Sequence, residues 1–309
     1  MSQREEGPGD ADDGDLATFK DCLSEPRFRI RLDDLVNAAV RAALAETSAE
    51  KFPLSTPRAS GEDFAARLAA YEAVVRPLQV KAALLGKWAT PEQLPTLTNM
   101  LARASDGCSD AQGGQSLWMD LQLYPLSLLL YSAGIASLAA ENYRAFVAAH
   151  SKKVNTHTRR FASRGVNIVV PVVDAMREVA STTAWRHVEE YREKRVPGSE
   201  RLFKILRPVL DDLLFLGASY ERLFDRYEIL RALIYADVTD SGWGPVGRFG
   251  WKYCGGGQDN PYTDLRAEAA QERDDWGPVR AGLFRASHTR FEETASKFES
   301  ELLRKLNWY

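Results

Sequence analysis

Four histidines are the first side chains to test for chemistry: His150, His157, His187 and His288. No two stand four residues apart, the spacing that puts a zinc-binding pair on one helical face, so no metal site is expected. His187-Val-Glu189 matches the first half of a deaminase H-x-E, but no Pro-Cys-x-x-Cys follows it. His157 or His288 could serve as an acid or base only beside a carboxylate delivered by folding. No Gly-x-Ser-x-Gly elbow is present, which argues against a hydrolase of that type. Cys254-Gly-Gly-Gly-Gln258 could turn backbone N–H groups toward an anion. It lacks the preceding strand, the Lys-Ser/Thr pair and the following helix of a phosphate loop, so a flexible turn is the better reading. No catalytic residue and no cofactor is assigned.

Two groups of residues remain as candidates for binding. Lys152, Lys153, His157, Arg159, Arg160 and Arg164 form a basic run that could meet phosphates of a nucleotide or nucleic acid. A second basic cluster, Arg192 to Arg207, is interleaved with Glu189, Glu190, Glu193 and Glu200 and reads as a salt-bridged, solvated face. The other candidate is a Gly-rich loop, Ser241 to Pro261, carrying Trp243, Arg248, Phe249 and Trp251. It has no helical period and reads as an irregular loop or short hairpin. Trp243-Gly-Pro-Val246 recurs as Trp276-Gly-Pro-Val279. Gly-Pro fixes a turn while Trp packs behind it, so each copy is expected to be a core anchor, with a Trp-lined groove as the alternative.

The elements that must position these residues are helical. Residues 121–140 carry no charge. A membrane span needs about twenty apolar residues. Pro125 suits a first helical turn, which would start the helix near Tyr124, and no basic cluster flanks it to set orientation. A buried core helix of a soluble protein is expected, continuing through Tyr143, Phe146 and Val147. Membrane activity is the alternative.

Other helices are expected from Asp33 to Ala43, from Glu62 to Trp88 with a kink at Pro77, from Pro91 to Ala104, from Val172 to Arg195, after an Ser199 cap as far as Gly217, from Ser219, and from Ser287 to Trp308. Ser105 to Gln115 reads as a loop, and Val166–Val170 as the one strand candidate or as a helix start with Pro171 in its first turn. The expected fold is all-α, a bundle of roughly nine to eleven helices with little or no sheet. Residues 1–15 are expected to be a disordered acidic tail, 16–54 an N-terminal helical segment and 62–309 the main helical domain.

The formal charge of −3 exerts no global pull toward nucleic acid or anionic lipid. Much of the acidity sits in the first fifteen residues, and the rest is slightly basic. Cys22, Cys108 and Cys254 are odd in number and far apart, which points to a reducing compartment, and the N-terminus has no signal-peptide pattern. A bacterial, cytoplasmic protein is the simplest reading.

Val196-Pro-Gly-Ser-Glu200, Tyr227-Glu-Ile-Leu-Arg-Ala-Leu-Ile-Tyr-Ala-Asp237, Trp243 to Trp251, Ala281-Gly-Leu-Phe284 and Tyr124-Pro-Leu-Ser-Leu-Leu-Leu-Tyr131 together resemble helical regions that accompany effector domains in bacterial phage-defence proteins. The resemblance implies a sensor, scaffold or adaptor whose protein partner does the chemistry. Three expectations follow in order: a non-catalytic interaction protein, an enzyme acting on a nucleotide or nucleic acid, and a membrane-active protein using residues 121–140.

Overall fold

Twenty uncharged residues in a row need apolar neighbours on every side, and this chain supplies them from its own helices. The computed structural model describes residues 8–55, 60–108, 113–155, 165–255 and 259–308. Its helices run α1 (Pro8–Ser24), α2 (Arg29–Glu46), α3 (Gly61–Trp88), α4 (Leu94–Cys108), α5 (Ser116–Leu121), α6 (Tyr124–Ala139) and α7 (Tyr143–Ser151). Then come α8 (Val169–Ser181), α9 (Pro197–Leu214), α10 (Ser219–Val238), α11 (Phe249–Cys254), α12 (Pro261–Glu272), α13 (Gly277–Arg280) and α14 (His288–Glu301). The fold is all-α, as the periodicities indicate, with several one- or two-turn pieces that sequence period alone does not resolve.

α6 is the centre of the molecule. All its residues from Tyr124 to Leu138 are buried. Leu128, Leu130 and Ile135 are at most 1 % exposed. Ser116–Ala139 is long and apolar enough to cross a membrane, yet 94 % of its apolar window is buried inside the protein. α3 lies along α6. It starts with a capping box in which Ser60 and Asp63 bond each other's backbone N–H, and it continues through Pro77.

Several expectations are corrected. The central helix does not continue through Val147: Glu141 takes φ 52°, and the Asn142 side chain accepts from Ala145 N–H to cap a separate α7. Val166–Val170 is a strand only at Val166–Asn167, paired antiparallel with Lys153–Val154, and α8 takes over at Val169. α8 ends at Ser181, where 3₁₀ turns at Thr183–His187 and Glu189–Tyr191 replace the expected helix to Arg195. α4 begins later than Pro91 and absorbs residues 105–108 of the expected loop. Ser199 does not cap α9, which starts at Pro197. α9 ends at Leu214, before Gly217, with Phe215 left-handed at φ 55°. α14 stops at Glu301 and a 3₁₀ turn follows. Residues 241–261 contain α11 inside the expected loop. α1 begins at Pro8, within the stretch read as the acidic tail.

Candidate functional site

The stretch Tyr227 to Ala236 on α10 contains only two charges, Glu228 and Arg231, in an otherwise apolar run. Residues three apart share a helical face. That face of α10 looks onto α6, whose Tyr124, Ser127 and Tyr131 form a matching stripe at i, i+3 and i+7. These side chains, with residues of α8 (Val173, Met176), α9 (Ser199, Leu202) and the 243–247 loop, line a cavity of about 190 Å³. Trp185 and Trp243 add aromatic walls, and Arg177 and Arg195 add charge.

Glu228 is fully buried. Its Oε1 accepts from the Tyr131 hydroxyl at 2.9 Å and the Ser199 hydroxyl at 2.8 Å. Its Oε2 accepts from the Arg248 backbone N–H at 3.0 Å. The same N–H donates to Ser199 Oγ at 3.0 Å. Gly247 is required for this approach, because a Cβ there would stand 1.9 Å from the carboxylate. Burial pushes the Glu228 carboxyl above the ordinary carboxylate range, while Arg231 and the two hydroxyls pull it back. The carboxylate thus bolts α10 to α6, to the first turn of α9 and to the Gly-rich loop.

A second carboxylate serves the same wall. Glu72 of α3 binds Arg201 through both oxygens at 2.6 and 2.7 Å and accepts from the Tyr124 hydroxyl at 2.7 Å. Behind the cavity, Tyr131 tilts against Tyr227 with ring centroids 4.5 Å apart. Tyr227 O–H meets His150 Nε2 at 3.2 Å, and His150 Nδ1 meets the Phe146 carbonyl at 2.8 Å. The carbonyl requires a proton on Nδ1, so Nε2 accepts from the phenol. Burial lowers the His150 pKa to about 4, and His150 is neutral at pH 7.

Among the described residues, the sequence candidates are not gathered into one site. Lys152 is half-buried after α7 and Lys153 is exposed at the start of the two-residue strand. His157, Arg159, Arg160 and Arg164 lie outside the described residues, in the connection whose ends pair as Lys153↔Asn167 and Val154↔Val166. Trp243 lines the cavity, with its ring edge on Tyr235 and Arg177 5.0 Å above it. Arg248 is buried against Phe203 and pairs with Glu200 at 3.1 Å, Phe249 is wholly in the core and Trp251 is 40 % exposed. The aromatic loop therefore splits between cavity, core and surface. The repeated Trp-Gly-Pro-Val splits too: Trp276 is a buried anchor whose Nε1 donates to Glu268, whereas Trp243 is a cavity wall.

His187 is exposed, and His288 stands 3.9 Å from Glu292 one turn along α14. Gly256, Gly257 and Gln258 lie outside the described residues. Within the second basic cluster, Lys204 pairs with Glu190 on the surface as expected, but Arg201 turns inward to Glu72. Burial pushes the Cys108 thiol up to about 12, so it is no nucleophile at neutral pH. Among the described residues no group of three His, Cys, Asp or Glu side chains is placed to hold a metal ion. Glu228 and Arg231 match none of the motifs, and the sequence signal that marks them is two charges one turn apart inside an apolar helix. No family model, no curated protein and no solved structure matches the chain.

Proposed function

We propose that this chain is a non-catalytic helical sensor or adaptor, and that its sensing element is the cavity between α6, α8, α9 and α10. The observation that carries the reading is the cavity's construction. Most of its wall is apolar or aromatic, and a few polar groups converge on it, the usual make-up of a small-molecule site. Four helices and the 243–247 loop meet there, so an occupant can alter how they pack and pass that change to a protein partner. In the phage-defence setting implied by the sequence resemblance, a trigger molecule is read here and the partner supplies any catalysis.

An enzyme is the second reading, and one observation favours it. The Ser199 hydroxyl donates to Glu228 at the cavity wall, as a nucleophile donates to its base. Against this, Tyr131 and Arg248 N–H already occupy the carboxylate, and Ser199 Oγ accepts from that same N–H. The arrangement suits a bolt better than a base.

A thermal-shift screen of the intact protein against a fragment library tests the proposal. A ligand at a hundred times its Kd adds about 2.7 kcal/mol, which raises the Tm by several degrees. Met176→Trp, at a half-buried residue of the cavity lining, should abolish the shift without unfolding the protein. A library that leaves Tm unmoved removes the sensor reading.

A further inference from the structure

Arg231 is 7 % exposed and lines the cavity, yet no hydrogen bond or ion pair holds its guanidinium among the described residues. Its Nε is buried without a partner. The Tyr131 ring lies 4.8 Å from Cζ and packs against the group, but it leaves the buried Nε–H unanswered. Glu228, the nearby carboxylate, gives its oxygens to Tyr131, Ser199 and Arg248 N–H instead. A guanidinium stays charged at any ordinary pH, and a buried charge without a partner is strongly unfavourable. The other walls of the cavity carry the same message. Ser127 Oγ, on the α6 stripe, is also buried without a partner. The lining holds Arg177, Arg195, Arg201 and Arg231 against the single carboxylate Glu228, with Arg201 answered from outside by Glu72 and Arg177 by Glu178 at 3.4 Å. A low-dielectric cleft lined with one sign of charge concentrates the opposite sign.

Size and shape restrict the occupant further. An apolar cavity of about 150 Å³ holds one benzene ring. At about 190 Å³ this one accepts a single ring with one small charged group. Trp185, Trp243 and Tyr131 offer ring faces and edges to such a body. The planar fork of an arginine matches a carboxylate or a phosphate through two parallel N–H bonds.

We propose that Arg231 is the counter-ion for the cavity's ligand, and that this ligand is a compact aromatic anion, one ring bearing a carboxylate or a phosphate, with Ser127 as an additional hydroxyl donor. This rests on the reading of the cavity as a ligand site. Titration calorimetry on the full chain with benzoate, phenyl phosphate and neutral benzamide tests it. At least one anion binds, and benzamide binds at least about tenfold more weakly. The stronger of benzoate and phenyl phosphate identifies the acid group. Arg231→Met keeps the apolar stem, keeps or raises the Tm because it removes an unpaired buried charge, and weakens the anion at least about tenfold. Arg231→Lys retains part of the affinity. Equal binding of benzamide and the anions, or an undiminished affinity in Arg231→Met, overturns the anion seat and leaves the cavity as a ligand site. Failure of all three probes to bind overturns the anion seat, and a silent fragment screen beside it overturns the ligand-site reading as well. A collapse of the Tm in Arg231→Met also overturns the proposal, because it would show a structural charge with a partner of its own.

Discussion

At the scale of single residues, two buried groups on opposite sides of the Tyr131–Tyr227 contact titrate in opposing senses. His150 has its pKa held down at about 4, below the ordinary value of 6.5, chiefly by burial. Its neutral form is favoured in the folded state, so its contribution is complete above pH 6.5 and is lost as pH falls toward 4. That loss is on the order of 3 kcal/mol. Glu228 goes the other way. Burial raises its pKa, so its contribution is complete below the ordinary carboxylate range and fades as pH rises through the raised value. Melting curves between pH 4 and 7 separate the two. His150→Gln flattens the fall in Tm on acidification, and Glu228→Gln steepens it by removing the opposing titration. An unchanged pH profile in His150→Gln contradicts the burial argument. Tyr227→Phe leaves His150 Nε2 buried without a donor and costs about 1–3 kcal/mol in urea unfolding at pH 7. A cost under half a kcal/mol would mean that water already serves that nitrogen.

At the scale of elements, α3 meets the α6 backbone where α3 offers no side chain. Gly86 faces the α6 backbone, and a Cβ there would stand 2.3 Å from the Ala133 carbonyl oxygen. The Ser137 hydroxyl sits at the contact, donating to the Ala133 carbonyl of its own helix at 2.7 Å with the Gly86 carbonyl 3.1 Å away. Helix propensity alone favours Gly86→Ala, and packing opposes it. Overpacking costs typically about 1–3 kcal/mol, against at most about 1 kcal/mol gained in propensity, so the variant should be destabilised. A Tm equal to or above the wild type would show that the two helices can part at little cost. This contact also marks what was legible in advance. Uncharged residues and helical spacing exposed α6, α3 and α10, and Pro125 located the start of α6. The break at Asn142 was hidden because Tyr143, Phe146 and Val147 keep an apolar pattern through it. Ser199 looked like a cap because its residue type suits one, but Glu228 in a distant helix claims its hydroxyl. The cavity itself was illegible, since it depends on which faces of α6, α8, α9 and α10 meet.

At the scale of the whole molecule, contacts join the N-terminal helical segment, residues 16–54, to the main helical domain, residues 62–309. Lys81 of α3 is nearly buried and pairs with Asp15 of α1 at 2.6 Å. Gln93 Nε2 donates to the Leu23 carbonyl at 2.9 Å, Thr96 bonds Asp33, and Arg103 bonds Asn37. Leu32, Val36 and Val40 of α2 belong to the same core cluster as Phe64, Leu129 and Phe298. Val40 and Ala43 reach the space beside Leu78 and Leu129, so α2 helps to cover the central helix. Removing α1 and α2 therefore uncovers apolar side chains of α3, α4 and α6 and strands Lys81 without its carboxylate. Burial of one large apolar side chain is worth about 1.5–3 kcal/mol, so losing the cover of even three or four exceeds much of a typical domain's stability. Calorimetry of the intact chain should show one cooperative transition rather than two. A fragment covering 60–309 should melt at least about 10 °C lower, at about 2–4 °C per kcal/mol for a chain of this order, and should bind a dye specific for exposed apolar surface. A fragment as stable as the full chain, with no dye binding, would show that the main helical domain stands by itself and that the support of α6 comes from helices after residue 60.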